Sequence, residues 1–353
     1  MRSKDFCPNL TVVTPPLRLV RRAEDAPPTL AEVARLAGVS GATVSRFFNA
    51  PQKLSAATAE RIRVAVQTLG YTPNLVAGGL ASSRSRLVAA LAPTIEQSIF
   101  AATIQAMTDE LAVAGYSVML GLTGAADEHV ERQLSAVLGR RPDGVILTGS
   151  ITDPAMRQRL VAQNTPIIET WDLPADPIDM VVGFSHDAVG RAVASRVIDK
   201  GWRTPLLISA TGARAATRQA GFTEALRQNG RPDPAVLNFA GVTTVGQGRR
   251  TFAQAWEGGA RPDVVVCSSD WTAYGVIAEA QSRGLDVPGD LAVIGFGDLD
   301  FSADVNPALT TVRIDGRAIG RQAVSFLLQR ARGERVADPI VDVGFELVVR
   351  KSG

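Results

Sequence analysis

The chain has 353 residues, a net charge of +2 and 46% hydrophobic residues, enough for two or three domains with substantial cores. No apolar run approaches the roughly 18 residues of a membrane helix, and residues 1–20, broken by Asp5, Pro8, Asn9, Pro15 and Pro16, hold no continuous apolar stretch of the kind an export signal needs. Cys7 and Cys267 make no disulfide framework, and His129 and His186 without a cysteine cluster argue against a protein-bound metal, so a cytoplasmic chain with no metal, cofactor or membrane partner is expected.

The charge is unevenly spread. Residues 29–86 carry seven Lys/Arg against two Asp/Glu, whereas the chain beyond 86 carries 25 against 30. A small basic segment on an acidic remainder points to a polyanionic partner for that segment.

Residues 1–28 mix prolines and charges without periodicity and read as a disordered arm. Its Arg18, Arg21 and Arg22 either touch phosphates or sit in a solvated tail. From 29 to 72 a helical head follows. Thr29 and Glu32 form a capping box; Leu30, Val33, Ala34 and Ala37 share a face, and Gly38 ends the first helix. Ser40 caps a second helix whose inner face is Val44, Phe47 and Phe48. Gly41, Ala42, Thr43, Ser45, Arg46 and Asn49 are left at its exposed start and side. That arrangement is either a helix-turn-helix offering a recognition helix to the major groove or an ordinary helical hairpin. A third helix starts at Ser55, carries Ile62, Val66 and Leu69 at helical spacing and ends at Gly70. Residues 73–86 read as a hinge or plain linker: Pro73 and Leu75 to Leu80 can form a helix, which Gly78 and Gly79 weaken by roughly 1 kcal/mol each.

From 87 onward, short apolar runs (LVAALAP, YSVMLGL, DGVILTG, PIIET, DMVVGF, PLLISATG, VVVCSSD, LAVIGF) alternate with helical stretches at 101–114, 128–140, 187–200, 215–228 and 272–284. Such alternation predicts parallel sheets covered on both faces. The expected fold is an all-α helix-turn-helix head plus an α/β body of two parallel-sheet lobes. The N-lobe is placed at about 87–183 and 316–344, the C-lobe at about 184–313 and 345–350. Ligands of such sheets bind at the carboxyl ends of the strands, here in a cleft between lobes.

The order LAEVARLAGVSGATVSRFFN, LGYTPN, RRPDGVIL and GLDVPGDLAVIGFGD resembles the lactose/galactose repressor family of bacterial regulators over residues 29 to about 350. EQSIFA, the IIETWDLPADPIDMVVGF run and VDVGFEL are most similar to gluconate-operon repressors. The resemblance implies a body like that of periplasmic sugar-binding proteins and a DNA site. In it, Ser40, Thr43, Ser45, Arg46 and Asn49 hold phosphates or reach bases. Lys53, Ser55 and Thr58 contact the backbone, and Leu80 is wedged into the minor groove or packs on the body as a linker residue. The two base-reading positions are Gly41 and Ala42. Neither side chain can exchange hydrogen bonds with a base, so direct readout is thin.

For the effector, Phe100 and Arg218 match family positions beside the ligand, and Ser269, Asp270 and Trp271 match a pocket wall. Arg214 sits one turn before Arg218, so the pair makes a carboxylate or phosphate site, unless Arg214 pairs with a surface acid. Trp171 and Asp172 face the same cleft, where the indole stacks on a sugar or fills core. Many sugar-binding members carry an acid where this chain has Gly297; its loss favours an anionic effector, although Asp298 next door is positioned to replace it.

The expected function is therefore a dimeric repressor of carbohydrate genes, bound to operator DNA and controlled by a gluconate-like sugar acid or a sugar. A homodimer follows because no terminal leucine heptad is present. The alternatives are a pure sugar-binding protein, which the helical head argues against, and a sugar or nucleoside hydrolase using acids such as Asp270 and Glu169. No Gly-x-Ser-x-Gly, Walker or GxGxxG motif supports an enzyme.

Overall fold

The structure is a computed structural model that describes residues 27–73, 84–96, 98–124 and 127–353. It divides into two compact units, 1–82 and 83–353. The expected arm up to residue 26, and the hinge from Asn74 to Ser83 with Leu80 in it, lie outside the described residues.

The described residues of the first unit form three α-helices, α1 (Leu30–Ala37), α2 (Gly41–Asn49) and α3 (Ala56–Leu69), with a short 3-10 helix at Pro51–Lys53. Local chemistry sets their ends. Thr29 Oγ1 accepts the Glu32 amide at 3.3 Å and Glu32 Oε2 accepts the Thr29 amide at 2.7 Å, which closes the capping box. Gly38 (φ 64°) and Gly70 (φ 62°) end α1 and α3 in the left-handed region. Ser40 and Ser55 accept the Thr43 and Thr58 amides, each at 3.2 Å. Helices of this length are marginal alone, and a shared core of Val33, Ala34, Ala37, Val44, Ile62 and Ala65 holds them.

The second unit contains two six-stranded sheets. One is built from β1 (Leu87–Ala92), β2 (Ser117–Leu122), β3 (Gly144–Thr148), β4 (Ile167–Thr170), β5 (Met180–Gly183) and β11 (Ile340–Asp342) in the order β11-β5-β4-β3-β1-β2. All its pairings are parallel. The other joins β6 (Pro205–Ala210), β7 (Ala235–Phe239), β8 (Val264–Cys267), β9 (Ala292–Gly297), β10 (Thr310–Arg313) and β12 (Glu346–Val348) in the order β12-β10-β9-β8-β6-β7, with only β12 antiparallel. The chain thus passes between the sheets three times, after β5, after β10 and after β11. No helix among the described residues is long and apolar enough to cross a membrane.

Helices cover both faces of each sheet, as near-continuous apolar strands require. The first sheet is packed by α4 (Ala101–Val113), α5 (Asp127–Leu138), α6 (Pro154–Ala162) and α11 (Gly316–Ala331). The second is packed by α7 (His186–Asp199), α8 (Ala213–Gln228), α9 (Val245–Glu257) and α10 (Asp270–Ser282). Along β6 the alternation is visible: Leu207 packs with α7 and α8, and Leu206 and Ile208 pack with α9 and α10. The α7–α8 pair meets at backbone distance. A Cβ on Gly190 would collide with the Arg218 carbonyl and one on Gly221 with that of Asp187, and Gly248 and Gly275 do the same for α9 and α10. Glycine here serves close approach, and it fixes the backbone that carries Arg218.

Candidate functional site

A cleft of about 670 Å³ opens where the carboxyl ends of both sheets face each other. Its walls are the segments that follow β1, β3 and β4 on one side, and β6, β8 and β9 on the other. This is where open parallel sheets present ligand sites, and the volume suits a small molecule.

Seven of the nine side chains expected here line it: Phe100, Trp171, Asp172, Arg214, Arg218, Ser269 and Trp271. Phe100 stands edge-on to Trp171 at 5.1 Å, and the Arg214 guanidinium lies 5.3 Å from the Phe100 ring, reaching across the cleft. Trp171 is only 3% exposed and its Nε1 donates to Thr103 Oγ1 at 2.9 Å. The indole thus borders the cleft mainly as packing, and its polar edge is already used. Ser269 Oγ caps α10 by accepting the Trp271 amide, and Trp271 Nε1 donates to Ser98 Oγ at 3.3 Å from the opposite lobe.

Two expectations are corrected. Asp270 does not face the cleft: it is fully buried. Its oxygens accept Thr311 Oγ1 at 2.5 Å, Ser302 Oγ at 2.7 Å and the Leu299 amide at 2.8 Å. Burial raises its carboxyl above the usual range against those three bonds. Asp298 does not replace the acid missing at Gly297. It is ion-paired to Arg313 at 2.6 Å and to Arg350 at 2.7 Å, and although burial works against it, those cations hold its carboxyl low. Glu169, the other acid of the hydrolase reading, is also fully buried and accepts the Ile178 amide at 2.7 Å.

The charge left in the cleft is therefore dominated by two arginines. Burial pushes Arg214 below its usual value, with Asp172 partly offsetting it, and burial together with Arg214 pushes Arg218 down. A guanidinium remains protonated at neutral pH even so. Arg214 Nη1 is buried without a hydrogen-bond partner. Among the described residues no carboxylate is ion-paired with either group. Glu96 at the exposed rim and Asp172 are the acids that line the cleft. Unneutralised buried cations are costly until an anion joins them.

Sequence reasoning missed two residues beside Arg218. Phe296 lies 4.1 Å below its guanidinium, and His186 Nδ1 is 3.0 Å from its Nη1. His186 entered the sequence reading only as a metal ligand without company. The usable signal was its place directly after the β5 run, at a strand's carboxyl end. Burial, then Arg218 and Arg214, push its pKa down to about 3, against a raising bond to the Trp171 carbonyl.

The folded protein thus binds fewer protons at His186 than the unfolded chain between pH 6.5 and about 3. Its contribution to stability is complete above pH 6.5 and is lost on acidification, by up to about 1.4 kcal/mol per pH unit. Urea unfolding at pH 7, 6 and 5 should show His186→Phe losing less stability than wild type. Equal losses would mean the ring is not held neutral.

In the head, Ala42, Arg46, Asn49, Lys53 and Ser55 are exposed and Gly41, Thr43, Ser45 and Thr58 are partly so. Asn49 Nδ2 is turned back on the Ser45 carbonyl at 3.0 Å, and the Ser40 and Ser55 hydroxyls bond those of Thr43 and Thr58 at 2.9 Å. A Cβ at Gly41 would press on Leu30, so this position meets α1 before it meets solvent.

Residues 29–74 match the profile of bacterial regulatory proteins of the lacI family, and residues 194–353 match that of a periplasmic binding protein-like domain. The HTH-type transcriptional regulator GntR of Pseudomonas aeruginosa is 34% identical over 92% of this chain and 95% of its own. A solved LacI-family transcriptional regulator from Silicibacter pomeroyi superposes with a TM-score of 0.86 at 29% identity, covering 92% of this chain and 99% of that one. The Lac repressor dimer, solved bound to operator and the anti-inducer ONPF, gives 0.80 at 26% identity, covering 93% and 99%. With a helix-turn-helix head, a two-sheet body and a relative this similar over nearly its whole length, the chain belongs to the LacI family of DNA-binding transcriptional regulators.

Proposed function

We propose that this protein is a cytoplasmic, homodimeric repressor of carbohydrate catabolism genes whose hold on operator DNA is set by a sugar acid of the gluconate type. The observation that carries the effector class is the pair Arg214 and Arg218: among the described residues no carboxylate is ion-paired with either, and Asp172 offsets only part of the charge, at Arg214. A ligand carboxylate between them would gain charge-assisted, bidentate hydrogen bonds. The loop after β9 supports the same reading, because Gly297 offers no side chain and Asp298 is held by Arg313 and Arg350. Similarity to the regulators named GntR agrees with it.

Thermal unfolding of the full chain with gluconate, phosphogluconate and neutral hexoses tests the class. A ligand at 100 times its dissociation constant stabilises by about 2.7 kcal/mol. A shift with neutral hexoses alone would discard the sugar-acid reading and keep the regulator.

On the DNA side, Thr43, Ser45, Arg46 and Asn49, with Lys53, Ser55 and Thr58, form the proposed contact set, and Leu80 belongs to the same proposal. Gly41 and Ala42 leave little direct base readout, so DNA shape and backbone contacts carry more of the specificity. Arg46→Ala is expected to weaken operator and nonspecific DNA alike. It should also flatten the plot of log affinity against log salt by about 0.9. An unchanged slope in gel-shift titrations would remove Arg46 from the phosphate contacts.

A further inference from the structure

His186 opens α7, where the chain leaves the first sheet for the second lobe. Its ring is buried and lies 4.5 Å from Phe184. Nδ1 is 3.0 Å from Arg218 Nη1, and Nε2 is 3.0 Å from the Trp171 carbonyl oxygen. The neighbours decide where the proton sits. A guanidinium only donates and a carbonyl only accepts. The ring must therefore accept at Nδ1 and donate from Nε2, which is the neutral Nε2–H form.

That form does something an acid in the same place would not. A carboxylate would orient Arg218 but also neutralise it, and would compete with an incoming anion. A neutral acceptor orients the guanidinium and leaves its charge for the ligand. Phe296 supports the group from below without taking a hydrogen bond. The charged groups around the ring are Arg218 and Arg214 from α8, Asp172 next to Trp171, and Asp187 on its own helix, which is paired with Arg191 at 2.7 Å.

We propose that His186 is the positioning residue of the anion site: as a neutral Nδ1 acceptor it fixes the Arg218 guanidinium against the Trp171 backbone and keeps it electrostatically free for the ligand carboxylate. The proposal rests on the sugar-acid reading of the cleft, and it has a readout that does not.

Asparagine and aspartate are isosteric, and both can present an oxygen near the Nδ1 position. Calorimetric titration of the full chain with gluconate should therefore separate orientation from charge. His186→Asn is expected to stay within about 10-fold of wild type, whereas His186→Asp is expected to lose about 100-fold or more. A residue that merely fills space would give both variants the same loss, and that result overturns the proposal.

The second arm needs no ligand. ¹⁵N spectra of the two-histidine protein, with His186 signals identified by their absence in His186→Asn, should show an unprotonated Nδ1, a protonated Nε2 and no titration between about pH 5 and 8. A proton on Nδ1, or a midpoint inside that interval, overturns the assignment. If gluconate and the other sugar acids fail to bind wild type while the spectra are as expected, the effector class falls and the histidine's role toward Arg218 stands.

Discussion

Arg218→Ala should abolish the effector response while leaving basal operator binding intact. The expected loss of sugar-acid affinity is about 10²- to 10³-fold, or about 3–4 kcal/mol, the range for removing one partner of a buried charged pair. The reasons are geometric. Arg218 is held by His186 Nδ1 at 3.0 Å and by the Phe296 face at 4.1 Å, it lines the cleft, and no acid among the described residues is ion-paired with it. Its remaining N–H groups have no better partner than a ligand anion. Arg218→Lys should recover little, because a point charge cannot accept the fork geometry that His186 and a carboxylate share. The variant leaves the histidine acceptor bare, so a modest fall in thermal stability should accompany the loss. Titration calorimetry and an operator gel shift on the same preparation check both halves. An Arg218→Ala protein that binds the acid as wild type does would place the pocket elsewhere.

Asp270→Ala should act on folding rather than on ligand. The carboxylate is fully buried at the start of α10 and satisfies two hydroxyls and one amide, from Thr311, Ser302 and Leu299. Removing it strands two buried hydroxyls and one half-buried amide, at an expected cost of about 3–5 kcal/mol. Those donors belong to β10 and to the segment after β9, so the damage concentrates at one end of the second sheet. Chemical denaturation should show the full loss, and the residual folded fraction should bind effector normally. A stable Asp270→Ala protein with weakened ligand binding would return Asp270 to the site from which its hydrogen bonds have removed it.

Much of the fold is legible in the sequence because local rules decide it. Thr29, Ser40 and Ser55 stand where helices begin, Gly38 and Gly70 where two of them end, and the eight apolar runs after residue 87 are all strands. What escaped was decided by packing. α9 and α11 carry internal glycines, Gly246, Gly248 and Gly320, which depress helix propensity. Gly248 is there because the Thr272 carbonyl passes against it, and Gly320 because that of Thr103 does. β10, β11 and β12 are only three or four residues long, too short for a period to show.

The candidate site was legible to the level of loops and not of side-chain direction. Asp270 and Asp298 stand on the right segments, but Thr311 and Ser302 turn one inward, and Arg313 and Arg350 turn the other aside. None of those partners is near in sequence. For Trp171 the sequence leaves open a sugar platform or core packing, and the choice is made by Thr103, 68 residues away, which takes its indole proton. His186 was invisible for the same reason: its meaning comes from Arg218, 32 positions on.

A sugar acid in the cleft is expected to change the hold of the head on operator DNA. By linkage, an effector that alters operator affinity must have its own affinity altered by operator to the same degree. The direct measurement is the operator dissociation constant of the full chain with and without saturating gluconate, with gluconate affinity measured on free and operator-bound protein. The expected change is about 5- to 150-fold, equal in both directions, and absent in Arg218→Ala. Gluconate binding that leaves operator affinity untouched would contradict it.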